Sequence, residues 1–209
     1  MTASVELRFT AGEHAGDVSG LLLRPDGARA VYVLAHGAGA GMRHPFLESI
    51  AHLERRSRRP DPPAVAVATV RAAVGEAARA MPGLPLIAGG KSFGGRMTST
   101  AQAEQPLPGV RGLVFLGFPL HPPGRPDDKR AEHLTRVHIP MLFLQGDRDE
   151  FADLKLLKPV IKRLGERATL HLVESGDHSF RVPKRSRTAD ADVMGELVEI
   201  IVEWTHGIV

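Results

Sequence analysis

Short apolar runs alternate along this sequence with longer stretches of helical periodicity, and few architectures accommodate that order. The runs are Ala30–Ala35 (AVYVLA), Leu84–Ala88, Val110–Leu116 (VRGLVFL), Met141–Gln145 (MLFLQ) and Ala168–Val173. The run at Ala30 is continuously apolar, which suits a strand covered on both faces, and those at Val110 and Met141 read as further buried strands. Between them, Pro45–Glu54, Ala64–Met81, Gly94–Glu104, Leu154–Leu164 and Asp192–Thr205 read as helices. In the second of these, Val67, Val70, Val74, Ala77, Ala78 and Met81 recur at three- and four-residue spacing. In the last, Val193, Met194, Leu197, Ile200, Ile201 and Trp204 share one face. Strands alternating with helices predict an α/β fold with a mostly parallel sheet and helices on both faces. Ahead of them, Val5–Thr10 and Ser19–Leu23 flank a Gly-rich link, which predicts an antiparallel hairpin at the sheet edge.

The 209 residues read as a single domain over 1–209, long enough to bury a core without disulfides or metals. With no cysteine, a disulfide scaffold, a cysteine nucleophile and a thiolate zinc site are excluded. The formal charge is +3, and the densest basic run, Arg55-Arg56-Ser57-Arg58-Arg59, has no aromatic neighbour to stack a base. It reads as a solvated loop, so no nucleic-acid partner is expected. No stretch approaches the roughly 18 apolar residues of a membrane span, and the N-terminal segment lacks a signal-like apolar core. The expected location is the cytoplasm.

The segment with the clearest chemistry is Gly90-Lys91-Ser92-Phe93-Gly94, a G-x-S-x-G between an expected strand and an expected helix. A serine on that sharp bend projects its hydroxyl from the sheet. The glycines let neighbouring backbone pass close by, and the helix start leaves N–H groups near the site. The bland alternative is a Gly-rich turn with a capping serine. A phosphate loop also ends in Gly-Lys-Ser, but it needs a glycine where this chain has Pro85, and it is rejected.

A serine hydroxyl needs an adjacent base, usually a histidine oriented by a carboxylate. Gly146-Asp147-Arg148-Asp149 follows the Met141–Gln145 run, and Gly176-Asp177-His178-Ser179-Phe180 follows the Ala168–Val173 run. Both lie past the C-terminal ends of strands, where parallel sheets carry their sites. The order Ser92, Asp149, His178 is the order this strand–turn–helix motif requires. Asp149 sits farther from its strand end and reaches back to His178 more easily. Asp147 remains the alternative acid, and Asp177 reads as a turn residue. His36, His44 and His121 fall in loops at the same sheet end and read as loop polar groups. No paired histidine spacing or carboxylate cluster calls for a metal, and nothing signals a cofactor.

Attack on an acyl carbon creates an oxyanion that needs fixed donors. The amide of Phe93 is one candidate, and the loop His36-Gly37-Ala38-Gly39 supplies the other, through Ala38. Gly37, Gly39, Phe118 and Leu120 are expected to line the substrate site, with Phe93, Phe118 and Leu120 as its apolar walls.

Together these motifs resemble the α/β-hydrolase superfamily, near the dienelactone-hydrolase-like proteins. More narrowly, the chain resembles a family that includes the testis-expressed hydrolase-like proteins and a subunit of the nonspecific-lethal acetyltransferase complex. The residues carrying the resemblance are HGAGAGMRHPF (His36–Phe46), GGKSFGGRM (Gly89–Met97), GFPLHPPGRP (Gly117–Pro126), LQGDRDEF (Leu144–Phe151) and GDHSF (Gly176–Phe180). It implies Ser92, Asp149 and His178 as a triad and supplies no substrate. The connection Gly117–Thr135, where such enzymes insert a lid domain, is short, so an open, lidless site is expected. The expected activity is hydrolysis of small esters or thioesters through an acyl-enzyme on Ser92, acting on a small-molecule acyl substrate. Amides are disfavoured because only His178 is evident to protonate a poor leaving group. The alternative is a non-catalytic hydrolase fold used as a protein-interaction module.

One departure from the family pattern stands out. After the Pro45–Glu54 helix the pattern requires a central parallel strand, but Arg55–Pro63 (RRSRRPDPP) stands there and is no core strand. One central strand is expected to be missing, with the seam near His52–Leu53. If the deletion is real, the N-terminal hairpin is expected to be shifted against the Ala30–Ala35 strand or detached from it.

Overall fold

Five parallel strands stand side by side in the order β3-β4-β5-β6-β7, and they carry everything that positions the site. The computed structural model describes residues 3–13, 15–37, 61–183 and 193–209. The chain opens with β1 (Ala3–Thr10) and β2 (Asp17–Arg24), paired antiparallel from Ala3↔Arg24 to Thr10↔Asp17. The sheet strands follow as β3 (Val31–Ala35), β4 (Leu86–Lys91), β5 (Val110–Leu116), β6 (Met141–Gly146) and β7 (Ala168–Val173). The helices are α1 (Pro63–Ala80), α2 (Phe93–Glu104), α3 (Leu154–Leu164) and α4 (Val193–His206).

The apolar residues of these strands divide between two faces because strand side chains alternate. Leu86, Ala88, Leu113, Phe115, Met141 and Phe143 face one way, onto Val67, Val70 and Val74 of α1 and Leu157 and Val160 of α3. Ile87, Val114, Leu116, Leu142 and Leu144 face the other, onto Leu197 and Ile201 of α4. Burying each such side chain contributes roughly 1.5–3 kcal/mol relative to leaving it in water, so β4 to β6 form the stable centre. The expected α/β-hydrolase architecture is therefore present: a mostly parallel sheet, an antiparallel hairpin, and helices on both faces.

Three differences from the sequence expectation follow from physical causes. β4 begins at Leu86 and runs through Gly89 and Gly90 to Lys91 rather than stopping at Ala88, because β3 pairs with it as far as Gly90 and β5 as far as Lys91. The connection after β5 contains a 3-10 helix, Lys129–Arg136, that the polar sequence KRAEHLTR did not announce; its Ala131 and Leu134 are buried. The hairpin is a two-stranded sheet of its own, and among the described residues it shares no ladder with β3. The seam at His52–Leu53, the helix expected over Pro45–Glu54 and most of the Arg55–Pro63 segment lie outside the described residues.

Candidate active site

Ser92 sits between β4 and α2 with φ 52° and ψ −118°. A non-glycine residue in that region is strained, and surrounding structure must hold it there. Its own N–H donates to the Leu116 carbonyl at 3.1 Å, and its carbonyl accepts the first helical bond from Arg96 at 3.1 Å. The motif's glycines have a steric cause. A Cβ on Gly90 would lie 2.2 Å from the Ala35 carbonyl oxygen, and one on Gly94 would lie 2.3 Å from that of His36. The turn therefore presses against the end of β3.

The structure brings Ser92, His178 and Asp149 together from the loops after three different strands. His178 Nε2 lies 2.9 Å from Ser92 Oγ, and His178 Nδ1 lies 2.6 Å from Asp149 Oδ2. The carboxylate can only accept, so Nδ1 carries the ring proton and Nε2 is free to receive the serine hydroxyl's hydrogen. Asp149 is buried, with its side chain fully out of solvent. Its Oδ1 accepts from the Phe151 amide at 2.8 Å, and its Oδ2 also accepts from Gln145 Nε2. Asp147 is exposed, in contrast. Asp177 turns its chain: its Oδ1 accepts from the amides of Ser179 and Arg181 at 2.8 and 2.9 Å.

Two supporting residues escaped the sequence reading. Gln145, fully buried at the end of β6, donates to Asp149 and accepts from the Phe118 amide at 2.9 Å, which fixes the orientation of its amide. Phe151 stacks on the imidazole of His178, with ring centroids 4.4 Å apart at 36°. Its signal was present as the aromatic closing LQGDRDEF, but no local rule ties it to a histidine nearly thirty positions on.

Of the expected oxyanion groups, Phe93 opens α2 immediately after Ser92. Gly37 is buried, and a Cβ on it would lie 3.5 Å from that of Ser92, so the loop after β3 runs beside the serine. Ala38 and Gly39 lie outside the described residues, as does His44. Phe118 and Leu120, expected as walls of an open site, are instead core residues, 1% and 0% exposed. Phe118 packs with Phe115 and Phe143, at centroid separations of 5.3 and 5.8 Å. The chain after β5 dives inward, so its apolar side chains fill the interior. His121 is likewise structural: its Nε2 accepts from the Asp153 amide at 2.9 Å, and its Nδ1 lies 2.9 Å from the Pro122 carbonyl. His36 Nδ1 lies 3.1 Å from the Gly37 carbonyl. Among the described residues, no group of three or more His, Cys, Asp or Glu could hold a metal ion. None of the described helices is long and apolar enough to cross a membrane.

A serine on a strand–turn–helix bend, in a parallel sheet flanked by helices, defines the α/β-hydrolase architecture. Residues 51–206 match the family model described as the alpha/beta hydrolase domain, and the chain belongs to that family. Its fold is similar to that of a dienelactone hydrolase from Anabaena variabilis, with TM-score 0.73 and 19% identity over 100% of this chain and 99% of that one. It is also similar to an alpha-beta serine hydrolase homologue from Coxiella burnetii, with TM-score 0.73 and 18% identity over 97% of each chain. A serine hydrolase without lid from Xanthomonas campestris matches with TM-score 0.67 and 21% identity, over 98% of this chain and 96% of that one.

Proposed function

We propose that this protein is a serine hydrolase of small carboxylic esters and thioesters, working through an acyl-enzyme on Ser92. The observation that carries the reading is the unbroken chain from Ser92 Oγ to His178 Nε2 at 2.9 Å and from His178 Nδ1 to Asp149 at 2.6 Å. In the proposed first step, Oγ gives its proton to Nε2 and bonds to the substrate's acyl carbon. The carbonyl oxygen becomes an oxyanion facing the Phe93 amide and a second donor from the loop after Gly37, which we assign to Ala38. The imidazolium, stabilised by Asp149, then protonates the leaving alcohol or thiol as its bond to carbon breaks. Water repeats the sequence with His178 as base and releases the acid and free Ser92. Three donors on Asp149 support it, rather than Asp147, as the orienting acid.

Further support comes from the fold's neighbours, which include proteins described as a dienelactone hydrolase and as serine hydrolases. We place the chain, within its family, near the dienelactone-hydrolase-like and testis-expressed hydrolase-like proteins. A fluorophosphonate probe tests the reading. The wild type should be labelled and should hydrolyse some member of a panel of acyl esters of graded chain length. Ser92→Ala should do neither while melting at nearly the same temperature. Equal labelling of both proteins rejects Ser92 as nucleophile, and a wild type that neither labels nor hydrolyses favours the interaction-module alternative.

A further inference from the structure

Lys91 resembles one residue of a phosphate loop in the sequence, and the proposed hydrolysis assigns it no part. It ends β4 directly before Ser92 and is 8% exposed. Its ammonium donates a hydrogen bond to the backbone carbonyl of His178. The Phe180 ring centroid lies 5.3 Å from Nζ, offering the cation an aromatic face. Gly117, at φ +68°, leaves the necessary room: a Cβ there would lie 2.9 Å from Lys91 Nζ and 3.3 Å from His178 Nδ1. The ammonium and the imidazole thus border the same small clearing.

Burying an ammonium is unfavourable, and a methionine of similar length would fill the same volume without that penalty. Placed here, the charge acts on the main chain of the base itself. The imidazole must satisfy two partners at once, and productive geometry tolerates only about 0.5 Å of drift. The Asp177 turn shapes the loop, but the bond from Lys91 ties the His178 peptide directly to the strand that bears the nucleophile.

We propose that Lys91 is a positioning residue of the serine site, its Nζ anchoring the His178 carbonyl so that the imidazole stays between Ser92 and Asp149. The proposal rests on the hydrolase reading above. Burial pushes Lys91 down from 10.5 to about 8, against the opposing pull of Asp149 and Asp177. Among the described residues, the charged groups facing it include Asp149, from the loop after β6, and Asp177 and the titratable His178, from the loop after β7. As pH rises through about 8, the charge-assisted bond becomes a weaker neutral one and activity should fall. Between about 8 and 10.5 the unfolded chain binds more protons than the folded one, so this group's contribution to stability rises with pH. Falling activity and a rising stability contribution in one window is a signature that a merely structural lysine does not give.

The test compares wild type, Lys91→Met, and Lys91→Cys before and after aminoethylation in denaturant and refolding, with wild type carried through the same cycle. Because the chain has no cysteine, the alkylation rebuilds an ammonium at this position alone. The readouts are p-nitrophenyl acetate hydrolysis across that pH window, the thermal midpoint, and the downfield proton signal of His178 Nδ1–H. Lys91→Met should lower kcat about 10- to 100-fold with KM nearly unchanged, lose the basic limb and broaden the Nδ1–H signal. Its midpoint should not fall below that of wild type. Aminoethylation should restore kcat, the limb and the signal together. Wild-type kcat and an intact Nδ1–H signal in Lys91→Met overturn the proposal. If Lys91→Met does not fold, no gain on aminoethylation overturns it. If the wild type itself is inactive, the hydrolase reading fails separately, and the Nδ1–H signal alone decides the role of Lys91.

Discussion

Adding one methyl at Gly94 should damage both stability and site, and the structure sets the size of the effect. A Cβ on Gly94 would lie 2.3 Å from the His36 carbonyl oxygen and 2.5 Å from that of Ala35. Ordinary contacts between such atoms begin near 3.5 Å, so α2 and the end of β3 must separate by about 1 Å. Helix propensity argues the other way, favouring alanine over glycine within a helix by roughly 0.5–1 kcal/mol. Overpacking costs about 1–3 kcal/mol, and here both obstacles are backbone and cannot rotate aside, so sterics should win near the upper value. For a chain of this size each kcal/mol moves the midpoint by roughly 2–4 °C, which predicts a fall of about 6–12 °C for Gly94→Ala before the propensity gain is subtracted. The same shift displaces the His36-Gly37 loop from Ser92, so fluorophosphonate labelling should slow about 100-fold. Gly75 is the control: it is exposed in α1, and nothing lies within 4 Å of its would-be Cβ. Gly75→Ala should raise the midpoint by about 1–4 °C and leave labelling unchanged. Differential scanning fluorimetry and a labelling time course measure both. A Gly94→Ala protein that melts no lower than wild type and labels at the same rate would refute the close approach of α2 to β3.

Asp149→Asn should lower kcat by as much as about 10⁴-fold, because it removes the acceptor that holds the histidine's tautomer, whereas Asp147→Asn on the exposed side of the loop should change it little. Comparable losses in the two variants would return the acid's identity to Asp147. His133 predicts an acid-side slope in stability: burial and the like charges of Arg96 and Arg136 push it down from 6.5 to about 4. The unfolded chain therefore takes up that proton first, and this contribution to stability is lost as pH falls from about 6.5 to about 4. His133→Gln should flatten the slope in thermal midpoints over that interval; an unchanged slope would place its origin elsewhere.

The parts of the fold legible in the sequence are those governed by local pattern. β5, α3 and β7 fall on the expected residues because apolar runs and helical periodicity define them without reference to anything distant. The serine turn was legible for the same reason, since its glycines and serine are adjacent in sequence. What stayed hidden depends on contacts between remote segments. Phe118 and Leu120 read as loop residues until β5 and β6 close over them. Gln145 looks like the polar end of an apolar run, and its role appears only when Asp149 and the Phe118 amide converge on it. Lys91 reads as one letter of a rejected phosphate motif, because nothing local brings the His178 carbonyl to its ammonium.

The β3 edge of the described sheet and the catalytic side chains concern different strands. Ser92, Asp149 and His178 follow β4, β6 and β7. β4 and β6 are buried at every residue, and β4, β5 and β6 are each paired on both sides. The serine and the acid thus hang on the sheet's stable centre, and the histidine on β7, which pairs along its whole length with β6. β3 differs: each of its residues is only partly buried, and among the described residues its ladder runs to β4 alone. The detached hairpin gives it no hydrogen-bonded support on its other edge. Yet β3 leads into the loop that passes Ser92, from which the second oxyanion donor is proposed to come. A change at the β3 edge therefore bears least on the hydrogen-bonded Ser92–His178–Asp149 chain and most on the oxyanion side. What holds that side against Ser92 is the contact of Gly90 and Gly94 with the carbonyls of Ala35 and His36, which couples the end of β3 to the nucleophile turn directly.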